Sequence, residues 1–73
     1  MNYNSVRFQE LRRYDPLLDE RVVCFMAITD AGSFHAEVPC SDGAERREYR
    51  KVFRERTTLM MDEGKDPCEV DLG

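Results

Sequence analysis

Cys24, His35, Cys40 and Cys68 are the side chains in this sequence best suited to hold a metal or attack a substrate. A Cys₃His set binds structural zinc when its members recur at short, regular spacing. These spacings match no finger or ribbon, and no Cys-x-x-Cys pair occurs. Cys24 also sits inside an apolar run, where a free cysteine behaves as a small hydrophobe. No metal and no other cofactor is therefore expected. A cysteine nucleophile needs a histidine beside it and a third group to orient that histidine. His35 is the single histidine, and it is separated from Cys40 by Pro39. No nucleophile elbow, glycine-rich phosphate loop or paired catalytic carboxylates can be found, so the chain reads as a non-enzyme. Its three cysteines are an odd and sparse set, as in a protein whose thiols stay reduced in the cytoplasm.

Arginines offer a second kind of chemistry. Arg46, Arg47, Arg50 and Arg54 fall on one side of a helical wheel and could track phosphates or acidic surfaces. The bland alternative is a solvated face interleaved with Glu45, Glu48 and Glu55. Near the N-terminus, Tyr3, Val6, Arg7, Phe8, Leu11, Arg12, Arg13 and Tyr14 mix aromatic, apolar and arginine side chains. Those types are enriched where proteins meet proteins. The same Val6, Phe8 and Leu11 could equally serve as internal cover.

The elements that must position these residues centre on Arg21–Glu63. RVVCFMAIT is β-branched and apolar, bounded by turn formers, and reads as a strand. Asp30-Ala31-Gly32-Ser33 is a short connection with a glycine free to take positive φ. FHAEVPC then alternates, with Phe34, Ala36 and Val38 on one face and His35 and Glu37 on the other. Pro39 ends this second strand. Ser41 or Asp42 caps a long helix to about Glu63, with Asp42 and Glu45 at capping-box spacing. Tyr49, Val52, Phe53, Leu59 and Met60 form its apolar side, Met61 falls among the polar residues, and Gly64 is its stop. The first strand is apolar on both faces, so the helix covers one and something else must cover the other.

Residues 1–20 are ambiguous. Asn4 or Ser5 as a cap predicts a short helix to about Arg13, while the alternation of Val6 and Phe8 allows a strand. Tyr14-Asp15-Pro16 breaks either pattern, and Leu17 and Leu18 are expected to tuck a turn against the sheet. Residues 65–73 are acidic, with Val70 and Leu72 as their only apolar anchors, and read as a mobile tail. The expected fold is α+β: a hairpin, with a possible third antiparallel strand, a short N-terminal helix or arm, and a long amphipathic helix. Residues 1–64 would form one domain.

Seventy-three residues suffice for one small domain with a thin stability margin. The 41% hydrophobic and 36% charged residues fit a globule with a modest core. No apolar run approaches the roughly 20 residues of a membrane span, and MNYNSVRF contains no apolar signal-peptide core. A net charge of -4 argues weakly against bare nucleic acid as the main ligand and is compatible with docking on a basic protein surface. Monomer and homodimer both remain open, since a second copy could cover the strand's other face.

Taken whole, from MNYNSVRFQELRRYDP to the acidic end KDPCEVDLG, the sequence resembles the small transcription regulators with which lytic bacteriophages bind host RNA polymerase. The likeness lies in length, charge and texture along the entire chain. It implies a non-enzymatic protein in the host cytoplasm that docks near the N-terminal region of the β′ subunit. It further implies weakened sigma-dependent initiation and readthrough of terminators. On that reading residues 3–14 make the main contact, with Phe8 as apolar anchor and Arg7, Arg12 and Arg13 as polar guides. Arg46, Arg47, Arg50 and Arg54 come second. The alternative is a nucleic-acid binder that uses the arginine side of the long helix.

Overall fold

The computed structural model describes residues 5–72. The chain runs β1 (Val6–Asp15), β2 (Glu20–Thr29), β3 (Gly32–Pro39) and α1 (Gly43–Asp62). The strands form one antiparallel sheet in the order β1-β2-β3, and α1 lies across one face. The α+β architecture of a hairpin, a third strand and a long helix is thus as the sequence indicates.

The hairpin turns through Asp30 and Ala31, with Thr29 opposite Gly32. Gly32 has φ 133°, a region closed to most L side chains, which is why glycine stands there. Thr29 Oγ1 accepts from Ala31 N at 3.1 Å and donates to Gly32 O at 2.7 Å, fixing the turn locally. Strand register then sorts side chains by face. Val23, Phe25 and Ala27 of β2 stand beside Val38, Ala36 and Phe34 of β3, and all but Val38 are fully buried beneath α1.

Asp42 caps α1, its carboxylate accepting from Ala44 N at 2.8 Å. Gly64, at φ 76°, ends it in a Schellman motif. Gly64 N donates to Met61 O at 3.1 Å and Lys65 N to Met60 O at 2.9 Å. Phe53 and Thr57 form the helix's fully buried stripe. Thr57 is tolerated there because Oγ1 donates to Phe53 O at 2.8 Å, leaving no buried hydroxyl unsatisfied. Leu59, expected inside, is 61% exposed, whereas Met61, expected outside, packs against the core. The stripe has rotated toward β1, where the helix finds its polar partners.

Three expectations need correction. The N-terminal segment is not a helix: β1 pairs with β2 through all ten residues, from Val6 opposite Thr29 to Asp15 opposite Glu20. It extends the sheet sideways instead of covering its second face. Leu17 and Leu18 do not tuck under the sheet, being 94% and 59% exposed. Asp15 Oδ1 holds their turn by accepting from Leu17 N at 3.0 Å. Lastly, the segment after α1 is docked where a mobile tail was expected. Val70 N donates to His35 O at 2.7 Å, His35 N donates to Cys68 O at 3.2 Å, and the Val70 side chain joins the core.

Candidate functional site

The sheet's two faces carry different chemistry. On the helix side, β1 contributes Val6, Phe8, Glu10, Arg12 and Tyr14, as its pairing with β2 dictates. Phe8 meets Phe53 edge-on, with centroids 6.5 Å apart, and the Arg54 guanidinium lies 4.6 Å above the Phe8 ring. Val6 and Phe8 are half-buried against the core, so Phe8 serves as internal packing under α1, not as a projecting anchor. Next along the strand, Glu10 receives Arg50, which donates from Nε and from Nη2, the latter at 3.1 Å, while Arg46 Nε lies 3.9 Å away.

Three of the four helix arginines thus face β1. The four helix arginines do not form one free row: Arg46 and Arg50 pair with Glu10, and Arg54, though exposed, stacks on Phe8, while Arg47 is exposed without such a contact to β1 among the described residues. Glu10 is the residue that sequence reasoning missed. A lone inward carboxylate in a strand carries no local signal until the helix arginines are seen above it.

The Arg50 hydrogen bond is the main cause that holds the Glu10 carboxyl below its ordinary 4.5; partial burial opposes it, and the charges of Arg50, Arg46 and Arg12 add to the lowering. A depressed folded-state value means that ionised Glu10 stabilises the fold above about 4.5 and loses that contribution as pH falls through the folded value. Glu10→Gln is therefore expected to melt at lower temperature than the parent at neutral pH. The two proteins should converge in strong acid, where the parent's carboxyl is protonated too. Thermal melts across an acid series check this, and a constant gap at every pH would contradict it.

On the opposite face, Cys24, Met26 and Ile28 form a half-buried stripe, and no second layer covers it among the described residues. Arg13 and Glu37 reach across it from the flanking strands and pair at 2.7 Å. Arg7 and Leu11 lie on this same face of β1, and Leu11 is 56% exposed. Burial, followed by the Glu37 charge, pushes the Cys24 thiol up, against the opposing pull of Arg13, so this cysteine is not activated. His35 faces this side as well, whereas Cys40 is buried in the core on the other, its Sγ 3.4 Å from Asp42 O. The pairing of Cys40 with His35 weighed in the sequence therefore has no geometry. No cluster of metal-ligating side chains occurs among the described residues.

The two sheet edges also differ. The tail pairs with part of β3's outer edge, through the parallel bridge between His35 and Glu69. The outer edge of β1 has no strand beside it among the described residues. Along it the structure gathers Arg7, Leu11, Arg12, Arg13 and the 55%-exposed Tyr14. Tyr3 lies outside the described residues.

No protein-family model, curated protein or solved structure matches the chain. What the site can do must come from its own geometry. That geometry is a ten-residue open strand edge, bordered by arginines, on a two-layer domain. No helix among the described residues is long and apolar enough to cross a membrane.

Proposed function

We propose that this protein is a non-enzymatic docking module of the bacteriophage type, acting in the host cytoplasm. It seats on host RNA polymerase at the N-terminal region of the β′ subunit, weakens sigma-dependent initiation and promotes readthrough of terminators. The choice of polymerase rests on the sequence resemblance. The observation that carries the docking part is the uncovered edge of β1, with Leu11 and Tyr14 exposed among Arg7, Arg12 and Arg13. An open edge offers main-chain hydrogen bonds to a partner strand, and side chains beside it supply specificity.

The nucleic-acid alternative loses support from the helix. Arg46 and Arg50 are engaged by Glu10, and Arg54 lies on Phe8, which leaves a broken path for a phosphate backbone. Free DNA is accordingly expected to bind weakly.

Capture of purified core polymerase on the immobilised protein at low salt tests the reading. Retention is expected, and Leu11→Glu should weaken it by about tenfold or more, as loss of an interface hot spot does. Leu11 is already 56% exposed, so the substitution leaves the core alone. Absence of retention, or a Leu11→Glu protein that binds as well as the parent, would overturn the assignment.

A further inference from the structure

At the end of the sheet where β1 turns into β2, the first turn of α1 overhangs a recess of about 320 Å³. Four arginines line it, Arg12, Arg13, Arg21 and Arg46, and no carboxylate does. In a chain whose formal charge is -4, this convergence of positive charge is out of keeping with the whole. Pairing explains it: Arg12 stands opposite Val23 and Tyr14 opposite Arg21, so Arg12 and Arg21 are diagonal neighbours on the helix side. Arg46 comes down on them from α1. Arg13 is occupied by Glu37, and Arg46 has only a distant approach to Glu10 at 3.9 Å. Arg12 and Arg21 have no carboxylate within ion-pair distance among the described residues. The Arg13–Glu37 pair and the nearby charge of Glu10 offset only part of this positive cluster, and an anion between Arg12 and Arg21 would offset more.

A second recess, about 430 Å³, adjoins the first and shares Tyr14, Arg21, Cys40 and Ser41 with it. Its far side carries Asp19, Glu20 and Glu45. The combined hollow therefore has a guanidinium pole and a carboxylate pole, with the exposed ring of Tyr14 between them. A long polyanion laid through it would meet repulsion at the second pole. A small molecule with a phosphate at one end and hydrogen-bond donors at the other matches both.

We propose that the hollow between the β1–β2 turn and the start of α1 binds a small phosphate monoester of mononucleotide size. Arg12 and Arg21 grip the phosphate with their planar forks. Tyr14 offers its ring for stacking, and Glu20 and Glu45 accept from hydroxyl or amino groups at the far end. The hollow shares Arg12, Arg13 and Tyr14 with the proposed docking edge, but binding to it is read on the free protein, so its failure is distinguishable from a failure of docking.

Amide chemical-shift titrations of the full chain with AMP, inorganic phosphate and adenosine test it at low ionic strength. AMP is expected to give saturable shifts centred on Arg12, Tyr14, Arg21 and Ser41. Phosphate should shift the arginine end alone and more weakly, and adenosine should do little. Arg12→Gln and Arg21→Gln should each weaken AMP binding about tenfold, the loss expected for a hydrogen bond to a charged group. Arg47→Gln, outside the hollow, should leave it unchanged. Both arginines lie on exposed surface, so the folded spectrum is expected to survive either change. Adenosine binding as well as AMP, shifts spread over all arginines, or equal losses in Arg47→Gln would overturn the site. So would an oligonucleotide that binds more tightly than AMP and is indifferent to Arg21→Gln.

Discussion

Phe53→Ala is expected to unfold most of the protein at room temperature. Phe53 is 1% exposed, and its ring touches both β1 and β2. Its ring stacks on Phe25 with centroids 5.8 Å apart and meets Phe8 edge-on. Truncating a buried phenylalanine costs about 3–5 kcal/mol, partly through lost transfer energy and partly through the cavity left behind. A single small core supplies roughly 3–5 kcal/mol in total, so the loss and the margin are the same size. Urea titration followed by circular dichroism reads this directly. A loss under about 1 kcal/mol would mean that α1 does not depend on this contact. The effect reaches function as well, because β1 is held from above by Phe53, Arg50 and Arg54. Without α1 the strand that carries the proposed docking edge would be tied only to β2.

That dependence shows why some of the fold could be read from residues and some could not. The β2–β3 hairpin is legible because its signals are local: β-branched runs, a glycine where φ must be positive, and a proline where the ladder stops. Asp42 and Gly64 likewise announce the two ends of α1 by chain position alone. β1 is another matter. Gln9, Glu10, Leu11, Arg12 and Arg13 are all good helix formers, and local propensity points to the wrong element. Ten residues of pairing with a strand already committed to the core override it. The inward polar residues of β1 hide its alternation, since Glu10 and Arg12 occupy positions where a strand would ordinarily show apolar side chains. The presence of Glu10 makes sense only with Arg46 and Arg50 overhead. The candidate contacts share this history. Arg7, Leu11 and Arg13 can be listed from the sequence, but that Leu11 projects while Phe8 is enclosed depends on which face each takes.

Val70→Asp is expected to destabilise the domain by the same amount as cutting the chain after Lys65, about 1–3 kcal/mol. Val70 is 6% exposed, and the segment that carries it is fastened along its length. Pro67 lies where a Cβ on Gly32 would contact it at 3.5 Å, and Val70 and Cys68 exchange backbone hydrogen bonds with His35. Arg56 donates to the Asp71 carbonyl. A carboxylate in Val70's place would be forced into an apolar core, at a cost well above what one valine contributes. The domain has a cheaper response, which is to release the segment. Release caps the penalty at the net free energy of docking, itself reduced by the conformational entropy that the freed residues regain. Equality of the point variant and the truncation is thus the signature of a docked but detachable strap. Amide exchange gives an independent reading, because the His35 N–H loses its partner in both variants and should exchange faster, while the β1–β2 ladder stays protected. If both variants matched the parent in stability and in His35 exchange, the segment would be a free tail. If Val70→Asp cost far more than the truncation, the strap would be unable to leave, and β3 would depend on it as an integral fourth strand.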